Sequence, residues 1–141
     1  MEGLTPMTKL SSTRSRLPAL VINADDHHRL TMLAEAASDR MPDVAEVLLQ
    51  ELDRARVVKD GSAPADRVRM GSTVTYRSDS GERTVRLVYP GEADIEAGRI
   101  SILTPIGAAL IGLSPGQSIK WTARDGVAHQ LTIVDVKPPT V

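Results

Sequence analysis

The sequence predicts an α+β protein: a short antiparallel helical hairpin followed by a curved antiparallel sheet that carries one small helix. Three observations lead there. Apolar residues recur at three- and four-residue spacing up to about Val58, with one interruption at Pro42. After a stretch containing Gly, Ser and Pro, Lys59 to Asp66, the apolar period shifts to two. A Thr104-Pro105 step then breaks the strand pattern and opens a run of small residues suited to a short helix.

The elements follow in order. Leu20-Val21-Ile22 is an apolar run that pairs as a strand or simply enters the core. Asn23 offers a side-chain oxygen as a cap, and Asp25 and Asp26 put negative charge in the first helical turn, where the helix dipole favours it. Leu30, Leu33, Ala34 and Ala37 form one stripe that ends near Ser38. Pro42 interrupts the pattern because it lacks an amide hydrogen and turns the preceding residue away from helix. Asp43 then reads as a cap, with Glu46 at capping-box spacing. Val44, Leu48, Leu52 and Ala55, widened by Val47 and Leu49, carry the second helix to about Val58. Two helices of this kind fold back on each other over about 22 Å, at 1.5 Å per residue.

Thr73 to Tyr76 and Thr84 to Tyr89 alternate polar with apolar around Ser78-Asp79-Ser80-Gly81, the pattern of a β-hairpin. Arg99 to Leu103 is a third strand. Pro105 can open a helix without losing a bond, Ile106, Ala109 and Leu110 share one face of it, and Gly112 closes it. Ser118 to Thr122 and His129 to Val136 are two further strands around an Asp125-Gly126 turn. The organisation expected is a disordered tail over 1–17, a helical hairpin over 18–58, a linker over 59–66 and a sheet domain over 67–138.

Composition narrows the function. With 17 basic and 18 acidic side chains the net charge is −1, too balanced for a protein whose affinity comes from neutralising phosphates. No Phe, one Trp and two Tyr leave few rings on which bases could stack. No cysteine is present, so disulfides, thiolate nucleophiles and cysteine zinc sites are excluded together, and a reducing compartment fits. No apolar run reaches the roughly 20 residues that cross a bilayer, and the first twenty residues hold no continuous apolar segment of a secretory signal.

Reactive groups are sparse. His27 and His28 are adjacent on a helix and point about 100° apart, so they cannot share a metal from one face. His129 lies in a strand beside Leu131 and Ile133, where a sheet-edge or solvent-facing role is expected. Gly112 to Gly116 lacks the Gly-Lys-Ser/Thr ending of a phosphate loop. Asp39 and Asp43 flank Arg40 near the hairpin tip; the helix cap and the solvated turn account for them locally.

Four submotifs at fixed spacing carry a family resemblance. Glu92-Ala93-Asp94-Ile95, Ile100-Ser101-Ile102, Thr104-Pro105-Ile106 and Ala109-Leu110-Ile111-Gly112 resemble the C-terminal signature of the GreA/GreB transcription factors, and the short hairpin is similar to the Rnk branch of that family. The resemblance implies an FKBP-like sheet domain; with the sparse reactive groups above, the expectation is a cytoplasmic, monomeric protein with no catalytic residue, metal or cofactor. Its implied partner is bacterial RNA polymerase, at the rim of the secondary channel, with nucleic acid met only through the polymerase complex and no membrane. Leu103, Thr104, Pro105 and Ile106 correspond to the family's docking loop, and Asp39, Arg40 and Asp43 to the hairpin tip. The function implied is a regulator that competes with longer Gre-type factors and modulates elongation without cleavage. The alternative is a cleavage-stimulating factor in which Asp39 and Asp43 work with polymerase Mg²⁺. Prolyl isomerisation, the activity associated with the FKBP fold, depends on an aromatic pocket, for which this chain offers only Tyr76, Tyr89 and Trp121.

Overall fold

The computed structural model describes residues 19–139; the expected disordered tail, 1–17, lies outside the described residues. The chain enters through β1 (Val21–Asn23), forms helices α1 (Ala24–Ala37) and α2 (Pro42–Arg54), and leaves the hairpin through β2 (Arg56–Val58). The second helix is therefore shorter than its periodicity predicts. Arg56, Val57 and Val58 pair in parallel with Val21, Ile22 and Asn23 instead of extending α2. Two β-branched residues close to an unpaired strand gain a ladder that a frayed helical turn cannot offer.

Both helix starts differ from expectation. Asn23 flanks α1, but its side chain makes no cap bond; its Oδ1 accepts from the Ala63 amide at 3.0 Å. The oxygen that satisfies an α1 donor belongs to Asp60, which accepts from the Asp25 amide at 2.7 Å. At α2 the flanking residue is Met41, Pro42 takes the first turn, and Asp43 sits inside that turn as a charge, not as a side-chain cap.

The main sheet contains β3 (Thr73–Ser78), β4 (Gly81–Val88), β5 (Arg99–Ser101), β6 (Ser118–Thr122) and β7 (Ala128–Lys137), in the order β5-β4-β3-β7-β6. A two-residue turn joins β3 to β4, closed by Gly81 at φ +110°, a conformation that favours glycine. An irregularity between Thr75 and Tyr76 in the β3–β7 ladder adds twist and curls the sheet. One pairing departs from the antiparallel expectation. Strand β5 runs parallel to β4, with Arg86 opposite Arg99, because the chain between them reverses through 3₁₀ turns at Pro90–Glu92 and Ile95–Ala97. It also ends at Ser101, and Ile102 and Leu103 turn into the core.

Helix α3 (Pro105–Leu110) packs on the sheet, with Gly107, Ala108, Ala109 and Leu110 buried. Gly112, at φ +81°, then lets the chain pass under Leu20 and bond Val68 through its amide at 2.9 Å. Leu30 and Ala34 of α1 and Leu48 and Leu52 of α2 belong to the same buried cluster as Ile102, Leu110, Leu131 and Ile133. The hairpin is thus packed onto the sheet domain through a continuous apolar core. Among the described residues no helix is long and apolar enough to cross a membrane.

The junction contains a titrating group. Burial raises the Asp26 carboxyl above its ordinary value of 3.8; the Arg69 guanidinium partly offsets this, while the Asp25 carboxylate adds to it. A raised carboxyl is protonated more readily in the folded chain, so its contribution to stability falls as pH rises from 3.8 through the folded value. The stability gap between Asp26→Asn and wild type, measured by urea denaturation, is expected to move in favour of the variant across that window. It should level off above the window, and a gap that is flat with pH would contradict this account.

Candidate partner-binding surface

The turn from β5 into α3 is held by its own hydroxyls. Ser101 Oγ accepts from the Leu103 amide at 2.9 Å; Thr104 Oγ1 donates to the Ser101 carbonyl at 2.7 Å and accepts from the Gly107 amide at 3.0 Å. Such a cap contributes about 1 kcal/mol. Of the four residues expected as a contact loop, Leu103 is 5% exposed and packs inward, which corrects its reading as surface. Thr104, Pro105 and Ile106 are half-buried, with Ile106 against the core. The accessible part of the loop therefore centres on the Pro105 ring and the Thr104 edge.

At the hairpin tip, Asp39, Arg40 and Asp43 are all exposed, and the reversal is closed by the Arg40 and Met41 amides bonding the Ala37 carbonyl at 3.1 and 2.8 Å. Among the described residues no three His, Asp or Glu side chains come together as a metal-ligand set. His27 and His28 diverge as expected. His27 Nε2 lies 2.8 Å from the Leu52 carbonyl, tying the base of α1 to the end of α2, and His28 is exposed.

Asp43 and Pro105 meet in one groove, which Asp39, Arg40, Thr104 and Ile106 do not line. It holds about 500 Å³, with Asp43, Val47 and Glu51 of α2 on one side, Pro105 and Ala109 of α3 along the floor, and β6 with the residues after it on the other side. Val47 is 42% exposed, and Trp121 stacks on His129 with ring centroids 4.9 Å apart and planes 26° apart. That stack makes His129 a half-buried support for the groove wall, not a solvent-facing group. Sequence reasoning found Asp43 and Pro105 but missed the groove that brings them together. The available signal was Val47, an apolar residue displaced from the spacing of Val44, Leu48 and Leu52.

Residues 63–138 match the family described as "Transcription elongation factor, GreA/GreB, C-term", and residues 18–58 match "Rnk N-terminus". The chain belongs to the GreA/GreB family. Within that family it is 36% identical to the "Regulator of nucleoside diphosphate kinase" of Escherichia coli (strain K12), over 85% of this chain and 90% of that protein. It is 39% identical to the "Transcription elongation factor GreA" of Rhodospirillum rubrum, over 81% of this chain and 78% of that factor. A solved GreA/GreB factor from Nitrosomonas europaea superposes with a TM-score of 0.67 at 38% identity, covering 84% of this chain and 98% of that one. The Gre-type architecture thus accounts for the helical hairpin joined to a curled five-stranded sheet.

Proposed function

We propose that this protein is a non-enzymatic transcription regulator of the cytoplasm that binds bacterial RNA polymerase at the rim of the secondary channel. There it competes with longer Gre-type factors and modulates elongation without stimulating cleavage. The observation that supports this reading best is the short hairpin folded against the sheet domain, with Asp43 of the tip and Pro105 of the loop lining one groove. At 13 residues, α2 spans about 20 Å at 1.5 Å per residue, a length suited to occupying a channel entrance. Relatives named as elongation factors and as a regulator support the same class of activity.

Capture of purified core polymerase tests the contact. Pro105→Asp and Asp43→Arg, each with unchanged thermal unfolding, are expected to weaken capture about tenfold, or ~1.4 kcal/mol. Unchanged capture by both folded variants would remove this surface from the reading. The second reading rests on the exposure of both Asp39 and Asp43. Transcript shortening in stalled complexes, abolished by Asp43→Ala in a folded protein, would decide for it.

A further inference from the structure

Strand β6 is one of the two edges of the main sheet, and it opens into the groove. Its register against β7 runs from Ser118 opposite Thr132 to Thr122 opposite Ala128. The Ile133 amide donates to the Gln117 carbonyl at 2.9 Å, and the Ala123 amide donates to the Val127 carbonyl at 3.0 Å. Hydrogen-bonded pairs alternate along an antiparallel ladder. The Gln117 carbonyl, the Ala123 amide and the backbone groups of Ile119 and Trp121 therefore turn toward β7, while Ser118, Lys120 and Thr122 turn theirs away. The Ser118 and Thr132 hydroxyls, 2.7 Å apart, show the close approach of a non-hydrogen-bonded pair. Among the described residues β7 is the one strand that pairs with β6, so the outward Lys120 and Thr122 amides and carbonyls face no ladder, and no turn or loop bond takes them up.

Ile119, Lys120, Trp121 and Thr122 all line the groove. A strand that presents a face contributes alternate residues, whereas one that presents its edge contributes consecutive ones. A row of unpaired amides and carbonyls inside a groove is a template for one extended chain. The charges indicate which chain. The α2 side carries Asp43 and Glu51, the latter held by Arg54 at 2.9 and 3.0 Å, whereas the β6 side carries Lys120 and Arg124, which take part in no ion pair among the described residues. The carboxylates of an added strand therefore belong on the β6 side, away from Asp43.

We infer that β6 binds an extended, acidic and apolar peptide segment of a partner protein by strand addition. The segment pairs with the Lys120 and Thr122 backbone, sets an apolar side chain over Pro105 and Ala109, and places carboxylates beside Lys120 and Arg124. A second copy fits less well, because antiparallel pairing of two β6 edges about Lys120 brings like charges together. The groove volume of about 500 Å³ also lies within the roughly 300–1,000 Å³ of ligand clefts.

The test uses the full chain, without polymerase, so its outcome is independent of the proposed function. The probe is an acetylated heptapeptide of alternating valine and glutamate, read by amide hydrogen exchange and chemical-shift titration. The Lys120 and Thr122 amides are expected to become protected on addition. Methylating alternate peptide nitrogens should weaken binding at least about tenfold, ~1.4 kcal/mol. Lys120→Glu should weaken it about fivefold, and Thr122→Pro, which removes an outward donor at an edge position that tolerates proline, should do likewise. Equal binding of the methylated peptide, or unchanged exchange at both amides, would overturn the inference. So would protection already present in the free chain and released by deleting residues 1–18 or by diluting a dimer, because the groove would then be filled by this chain itself.

Discussion

Gly107→Ala is expected to destabilise the protein by about 3 kcal/mol, near the upper end of what one inserted methyl group costs in a filled core. Gly107 lies on the inner face of α3, where a Cβ would collide with the Ser101 carbonyl oxygen and sit 2.9 Å from Thr104 Oγ1 and 3.0 Å from Ile102 Cα. The first and last of these are backbone atoms that cannot rotate away. The added carbon can be accommodated only if α3 lifts from the sheet, and the same Ser101 carbonyl accepts the Thr104 hydroxyl that caps the helix. Overpacking and cap loss therefore act together. Urea denaturation should show a lower midpoint at unchanged slope, and Gly91→Ala supplies the control. Gly91 has nothing within 4 Å of its added carbon and should stay within about 0.5 kcal/mol of wild type. A Gly107→Ala variant as stable as that control would mean that α3 does not approach the sheet this closely.

What the sequence disclosed and what it hid divide along one physical line. Interactions that repeat within a few residues left a readable period. The stripe of Leu30, Ala34 and Ala37, the stripe of Val44, Leu48 and Leu52, the alternation in β3 and β4, and the Thr104-Pro105 opening of α3 all appear in the structure. Choices made by a partner far along the chain left none. Val57 and Val58 satisfy a helical period but pair with β1 some 35 positions earlier. Asn23 and Asp60 exchange roles in the same way: the nearer side chain bonds Ala63, and the distant one satisfies the Asp25 amide. Strand direction was equally hidden, since alternation in Arg99 to Ser101 is compatible with either orientation beside β4. The site followed the same rule. Asp43 and Pro105 were each visible as local features, but their shared groove depends on how α2 packs against α3, which no short window of sequence records. Leu103 was misplaced because the strand was extended two residues too far, and Ile102 and Leu103 instead both turn inward.

Leu48→Ala carries the second large effect and tests whether the hairpin and sheet fold as one unit. Leu48 has no exposed surface and belongs to the cluster that also contains Leu110 of α3 and Leu131 and Ile133 of β7. Truncating such a side chain removes transfer free energy and leaves a cavity, together about 3–4 kcal/mol where neighbours cannot collapse into the space. Two helices of 14 and 13 residues are too short to be stable alone in water, since isolated helices below about 12–15 residues are marginal. Their stability comes from the face they bury against α3 and the sheet. The loss at Leu48 should consequently spread beyond the hairpin. Far-UV dichroism reports mainly the helices, and fluorescence of Trp121, the chain's one tryptophan, reports β6. Both signals are expected to shift to the same lower urea midpoint in Leu48→Ala. Val47→Ala, one residue away but 42% exposed, should move neither by more than about 0.5 kcal/mol. If the helical signal moved while Trp121 kept its wild-type midpoint, the hairpin would be a separately melting arm. A groove that needs α2 as its wall would then close and open with that arm.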